Sequence, residues 1–267
     1  MRFLFKLLAS IYLVVIFAMI SIFTLVFFRD KQKRLERVSR NTALFSPILL
    51  RIMGISFKVY DYTGGKGLTG RSLVVANHVS YLDVFVLAAM RPMLFISSVE
   101  LSRQLFVGHI SRLGGTVFVE RRKNRNLREE INNISSALDH GFTLVLFPEA
   151  TTSDGSGLLP FKPSLFEAAI KSGAEVVPVC IRYLKIDGQP ISTVNKDRVI
   201  FHGGVRLIPH IIRLFRHHRV EVEVSVFDRI STAKKNRKEL VRQAHQIISS
   251  CYRSGWTADK PVNPDFL

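Results

Sequence analysis

From Leu7 to Phe28 the chain carries no charged residue, and only Ser10, Ser21 and Thr24 interrupt an apolar run of 22 positions. Such a run ends up as a helix in a protein core or as a helix in a bilayer, whose hydrocarbon layer of ~30 Å takes about 20 apolar residues to cross. A cleaved leader has a shorter apolar stretch closed by small residues. Here the run closes on Leu25-Val26-Phe27-Phe28-Arg29, so it is expected to be kept as a membrane anchor. Basic residues from Arg29 to Arg40 crowd its downstream flank, while upstream stand only Arg2 and Lys6. That asymmetry predicts an inner-membrane protein with its body on the cytoplasmic side.

The net charge of +17 points to a polyanionic partner. Together with the apolar run it selects an anionic membrane surface and not nucleic acid. After the basic hinge, Ala43 to Ile55 is apolar but too short to span, and is read as lying in the interface or folding back on the first helix. Positions 1–60 are thus read as membrane-anchoring helices and hinge, and 61–260 as one body. The two cysteines, Cys180 and Cys251, form no CxxC pair and read as free thiols.

From Ser72 onward strand and helix patterns alternate. Strands are predicted at Ser72–Ala76, Met93–Ser97, Thr116–Glu120, Phe142–Phe147, Val176–Tyr183, Arg198–Phe201 and Val220–Val226, the last with one wet face. Helices are predicted at Tyr81–Met90, Asn126–His140, Pro163–Ser172, Pro209–His217 and Lys234–Tyr252. The fold class is therefore α/β, a mostly parallel mixed sheet covered by helices, with an N-terminal membrane-anchoring helical segment.

Two strand ends carry the chemistry. After Ala76 comes Asn77-His78-Val79-Ser80-Tyr81-Leu82-Asp83, and after Phe147 comes Pro148-Glu149-Ala150-Thr151-Thr152-Ser153. Ser80 and Asp83 have the spacing of a capping box, so Asp83 reads as a helix cap. It also reads as the carboxylate that accepts the Nδ1 proton of His78 and leaves Nε2 free as a base. No GxSxG elbow, catalytic cysteine setting or metal-ligand cluster accompanies the pair, so the base is expected to act on a hydroxyl brought by a substrate, without a metal. Glu149 is read as orienting a polar substrate, and Arg121, delivered by the strand after Gly115, as suited to holding a phosphate. His217 and His218 lie in a basic stretch and read as solvated charge.

With these residues in place the chain resembles the glycerolipid acyltransferase family that includes 1-acylglycerol-3-phosphate acyltransferases. The H-x4-D block matches His78 and Asp83. G-x-x-F-[IV]-x-R matches Gly115, Phe118 and Arg121, F-P-E-G-T matches Phe147, Pro148, Glu149 and Thr151, and V-P-[VI] matches Val177, Pro178 and Val179. The resemblance implies acyl transfer from an acyl thioester, acyl-CoA or acyl carrier protein, to a lysolipid hydroxyl, with no cofactor. It implies His78 and Asp83 as catalytic, with Asn77, Gly115, Phe118, Arg121, Glu149, Thr151, Thr152 and Pro178 around the substrate. Three departures stand out: Ala150 replaces the usual glycine, Thr152 an arginine common in phosphatidate-making members, and Ser98-Val99 a region where many carry lysine. The acceptor implied is a lysophosphatidate-like lipid or another lysolipid such as lyso-ornithine lipid. The reading from another class is a non-catalytic, membrane-tethered module that binds anionic lipid, which leaves the His78–Asp83 pair without a task.

Overall fold

The computed structural model describes residues 1–120 and 124–253, without the side chains of 124–126. Arg121 therefore lies outside the described residues. Two long helices open the chain. α1 (Arg2–Phe27) carries no charge after Lys6, and α2 (Lys31–Met53) folds back along it, so that the Phe17 and Phe45 rings meet with centroids 5.6 Å apart. Asp30 caps α2 by accepting from the Lys33 amide at 2.7 Å. The tract read as a basic hinge is the first half of α2, and 43–53, read as interfacial or folded back, is its second half packed on α1. Gly54 ends α2 at φ 82, facing the backbone carbonyl of His218 so closely that a side chain would collide with it.

The start of α1 is fixed to the body. Lys6 Nζ donates to the carbonyls of Met53 and His217, both at 2.8 Å, and Phe3 packs edge-on against Phe215. A simple bilayer crossing by α1 would put its first residues and the body on opposite sides. The structure puts them together, which makes α1 and α2 a hairpin.

The body runs β1 (Ile55–Asp61), β2 (Ser72–Ala76), α3 (Leu82–Met90), β3 (Leu94–Ser98), α4 (Val99–Ser102), α5 (Val107–Leu113), β4 (Val117–Val119), α6 (Asn124–Asp139), β5 (Thr143–Leu146), α7 (Phe166–Ser172), β6 (Glu175–Ile186), β7 (Gln189–Pro190), α8 (Leu207–Phe215), β8 (Val220–Val226) and α9 (Arg237–Arg253). The sheet order is β1-β8-β6-β2-β5-β3-β4, with β7 on β6. β6 is antiparallel to β7 and β8, and all other neighbours are parallel. This is the mostly parallel mixed sheet the alternation predicts. β2 sits between β6 and β5 and is buried at every position, which is why its sequence is an unbroken apolar run.

Three expectations are corrected. The outer face of β8 is not wet: Glu223 is buried and accepts from Arg182 Nε at 3.0 Å, while Arg182 also donates to the Cys251 carbonyl of α9, which covers that face. Arg198–Phe201 is no strand. A 3-10 turn at Lys196–Arg198 leads into an irregular stretch whose Phe201 amide donates to the Val79 carbonyl, one residue after His78. His217 is not free surface charge either; its Nδ1 pairs with Asp187 Oδ2 at 2.9 Å.

Candidate active site

β2 stops at Ala76 because the next side chain takes over its hydrogen bonding. Asn77 Nδ2 donates to the Ile181 carbonyl at 2.9 Å and its Oδ1 accepts from the Ile181 amide at 2.8 Å. The side chain thus prolongs the β2–β6 pairing while the backbone turns away, delivering His78 at the carboxyl end of a central strand, where α/β sheets place ligands. Asn77 is buried and fully engaged with backbone, so its part is to aim His78 and not to meet a substrate.

His78 Nδ1 lies 2.9 Å from Asp83 Oδ2. That same oxygen accepts from the Val79 amide at 2.8 Å and the Ser80 amide at 2.9 Å, and Oδ1 accepts from the Tyr183 hydroxyl at 2.8 Å. The two readings of Asp83, helix cap and histidine partner, are both true of one carboxylate. An ionised carboxylate only accepts, so the proton of neutral His78 sits on Nδ1 and the lone pair is on Nε2. The ring stacks on Phe147, centroids 4.0 Å apart, and the side chain keeps 19% exposure, enough to be approached.

The second motif grips the backbone of the first. The His78 amide donates to Glu149 Oε1 at 2.9 Å, and its carbonyl accepts from the Ser153 amide at 2.8 Å. Glu149 Oε2 accepts from the Leu159 amide at 2.8 Å. Burial raises the Glu149 carboxyl to about 7, against the downward pull of those two amides. At 3% exposure, with both oxygens on backbone, Glu149 clamps two loops together; the head-group role read from its motif does not fit that burial. Ala150 adopts φ 62, the left-handed conformation that glycine takes without strain. Beyond it, Lys196 Nζ donates to the carbonyl and Oδ2 of Asp154, both at 2.9 Å, and the Tyr252 hydroxyl donates to the Gly155 carbonyl at 3.0 Å. Hydrogen bonds from Ser156, with Lys196 beside them, hold the Asp154 carboxyl well below its usual range.

The remaining motif residues divide. Thr151 is exposed and Thr152 half-buried in the turn that flanks His78, and both remain open to a substrate. Gly115, at φ 79, is a packing point: a Cβ there would sit 2.8 Å from Val38 Cγ2 of α2 and 3.1 Å from Leu94. Phe118 is half-buried on β4 with the Arg112 guanidinium 5.9 Å from its ring. Pro178 is buried in β6 opposite Val75, a sheet position and not a site wall. Ser98, in place of a cation, caps α4 by accepting from the Leu101 amide at 3.3 Å. An apolar cavity of about 110 Å³ lies between the hairpin and α3, lined by Phe17, Phe45, Leu49, Val84, Phe85 and Ile110; it begins one residue past Asp83. Tyr183, Tyr252 and Lys196 were not singled out from the sequence, and no local spacing ties them to the motifs they hold.

The acyltransferase family model matches residues 58–182, which spans both motifs. Two lyso-ornithine lipid O-acyltransferases are each 34% identical to this chain. That of Brucella abortus matches over 219 residues, 79% of this chain and 80% of its own length. The chain belongs to the acyltransferase family. The match to the Rhizobium meliloti enzyme covers 66% of this chain and 63% of that protein, just under two thirds of its length. The 1-acyl-sn-glycerol-3-phosphate acyltransferase of Neisseria gonorrhoeae is 41% identical over 117 residues, 44% of this chain and 46% of its own. Among solved structures, the crystal structure of the 1-acyl-sn-glycerophosphate acyltransferase PlsC from Thermotoga maritima superposes with a TM-score of 0.66 over 98% of this chain and 100% of that one, at 21% identity. At that identity the likeness is one of fold, and at 98% coverage of this acyltransferase it takes in the hairpin as well as the sheet.

Proposed function

We propose that this acyltransferase is a membrane-bound lysolipid O-acyltransferase that moves an acyl chain from an acyl thioester, acyl-CoA or acyl carrier protein, to a lysolipid hydroxyl, with His78 and Asp83 as its catalytic residues. The observation that carries the reading is the 2.9 Å contact between His78 Nδ1 and Asp83 Oδ2, with Nε2 left to a substrate. Nε2 takes the proton of the acceptor hydroxyl as its oxygen attacks the thioester carbonyl. Asp83 stabilises the imidazolium. The tetrahedral intermediate collapses, the carbon–sulfur bond breaks, and the departing thiolate recovers the proton from His78.

The hairpin through Met53 serves as the membrane anchor and the rest of the chain as the catalytic body, held at the cytoplasmic face of the inner membrane. α1 is long and apolar enough to cross a membrane, and its exposed Leu4, Phe5, Leu8 and Ile11 offer lipid a continuous surface. Arg121 and the Thr151–Thr152 turn hold the acceptor head group. Thr152 and Ser98 supply no positive charge where a phosphomonoester would be gripped, and each missing charge-assisted contact removes about 1.5–3 kcal/mol of selectivity. The acceptor proposed is therefore a lysolipid other than lysophosphatidate, with lyso-ornithine lipid first. Membranes containing the enzyme, given labelled acyl donor and a panel of lysolipids, test this. Acylation of lyso-ornithine lipid, with Thr152→Arg shifting preference towards lysophosphatidate, is the expected result; strong wild-type selectivity for lysophosphatidate refutes the acceptor assignment.

A further inference from the structure

α8 occupies an unusual place. Its inner face backs the catalytic motif: His210 is fully buried, its Nδ1 is 3.2 Å from the Tyr81 hydroxyl, and its ring lies edge-on to Tyr81 and Phe201. Its last turn abuts the hairpin, where Phe215 packs against Phe3 of α1. Positions 208, 212 and 215 fall on one side of a helix. Phe215 is covered by α1, while Ile208 and Ile212, on the same side, remain 58% and 37% exposed. Arg213 and Arg216 are exposed further round from Ile212, and Arg206, just before the helix, is exposed as well. Helical periodicity thus gives α8 a buried face, an apolar shoulder and a basic rim, in that order around its axis.

We infer that this shoulder and rim dock on an anionic lipid surface, making α8 a second membrane contact beside the hairpin. The inference rests on the reading of the hairpin as membrane-embedded. The occupant follows from two observations. The apolar shoulder continues through Phe215 and Phe3 into the lipid-facing surface of α1, where Leu4 and Phe5 are exposed. The arginines beside it match the charge of anionic head groups, the pattern of a helix lying in the interface with its apolar side sunk ~5–10 Å. The seating also fixes orientation. Tyr81 stands two residues before Asp83, so a bilayer that bears on α8 sets the height of the catalytic loop above the lipid.

The test is tryptophan quenching in the full-length protein reconstituted into vesicles of mixed phosphatidylglycerol and phosphatidylcholine. Trp256, the single tryptophan, is changed to phenylalanine, and one tryptophan is installed at a time by Ile208→Trp, Ile212→Trp, Leu8→Trp on α1, or Lys66→Trp in the β1–β2 loop at the far end of the sheet. Lipids brominated near the glycerol should quench Ile208→Trp and Ile212→Trp, as they do Leu8→Trp, and leave Lys66→Trp bright. Adding Arg213→Gln and Arg216→Gln, or omitting the phosphatidylglycerol, should reduce quenching at 208 without changing it at 8. Quenching at 8 with none at 208 or 212 overturns the proposal. So does emission at 208 that follows protein concentration and ignores bromolipid, which means a second copy of the chain covers the face. Absence of quenching at 8 strikes the membrane reading of the hairpin instead, and none of these readings depends on acyl transfer.

Discussion

Tyr183 donates its hydroxyl to Oδ1 of Asp83 at 2.8 Å, and both side chains are buried. The bond reaches across from β6 to the first turn of α3 and completes the set of donors around the carboxylate. Burial and the neighbouring Asp83 both push the Tyr183 phenol up, so it remains a donor throughout the working range. Tyr183→Phe leaves Oδ1 without its donor, at a cost of about 1.5–3 kcal/mol of stability. It also leaves Asp83 a stronger acceptor for the imidazolium. The acid limb of the kcat/KM profile should move to higher pH, with KM for the lysolipid little changed. A variant that loses stability but keeps the wild-type pH profile would confine Tyr183 to a structural part.

His78→Ala removes the proposed base and should lower acyl transfer by ~10²–10⁴ without dislodging the protein from membranes. Asp83→Asn is the sharper test. An asparagine can keep its oxygen towards the Val79 and Ser80 amides and its nitrogen towards the Tyr183 oxygen, so the turn survives, but the charge opposite the imidazolium is gone. Folded Asp83→Asn enzyme should be nearly inactive in the labelled-donor assay. Substantial turnover would reduce Asp83 to a cap.

Glu149 makes stability depend on pH in an unusual direction. Its carboxyl is raised to about 7 from an ordinary 4.5, so the folded chain holds this proton more tightly than the unfolded one. The contribution is complete below 4.5 and is lost as pH rises through 7, by about 3 kcal/mol at most. Urea midpoints measured in detergent across that window should fall with rising pH in the wild type. The Glu149→Gln protein should show a flatter line, and equal slopes for the two would refute the assignment.

Ala150 sits at φ 62 in the middle of the second motif. An alanine there carries about 1–2 kcal/mol of strain that glycine avoids, partly offset by the greater freedom glycine loses on folding. Ala150→Gly should therefore raise the thermal midpoint slightly, a net gain of about 0.5–1 kcal/mol, and keep activity. A lower midpoint would show that the alanine methyl makes a compensating contact.

Local pattern made the centre of this fold legible. The run Ser72–Ala76 and the alternating Val220–Val226 are strands at those bounds, because β2 is buried on both faces and β8 pairs on both edges. His78 and Asp83 are legible because they lie five positions apart in one turn. The alternation of Ile55, Phe57 and Val59 is a period-two signal for β1, masked by the apolar run of the helix it follows. What could not be read locally was long-range. Asn77 meets Ile181 and Asp83 meets Tyr183 at separations of 104 and 100 residues, and nothing near either residue announces its partner. Glu149 has the composition of a wet turn, and only the fold closes Leu159 over it.

The bond from Lys6 to the His217 carbonyl joins residues 211 positions apart. During synthesis α1 leaves the ribosome long before His217 is made, so the start of the hairpin has no partner on the body until β8 is about to form. On the proposed anchorage, lipid holds α1 through that interval, and the body completes itself against a helix that was placed first. With α1 anchored as proposed, assembly of this enzyme ends where it began, its last strand arriving beside its first helix.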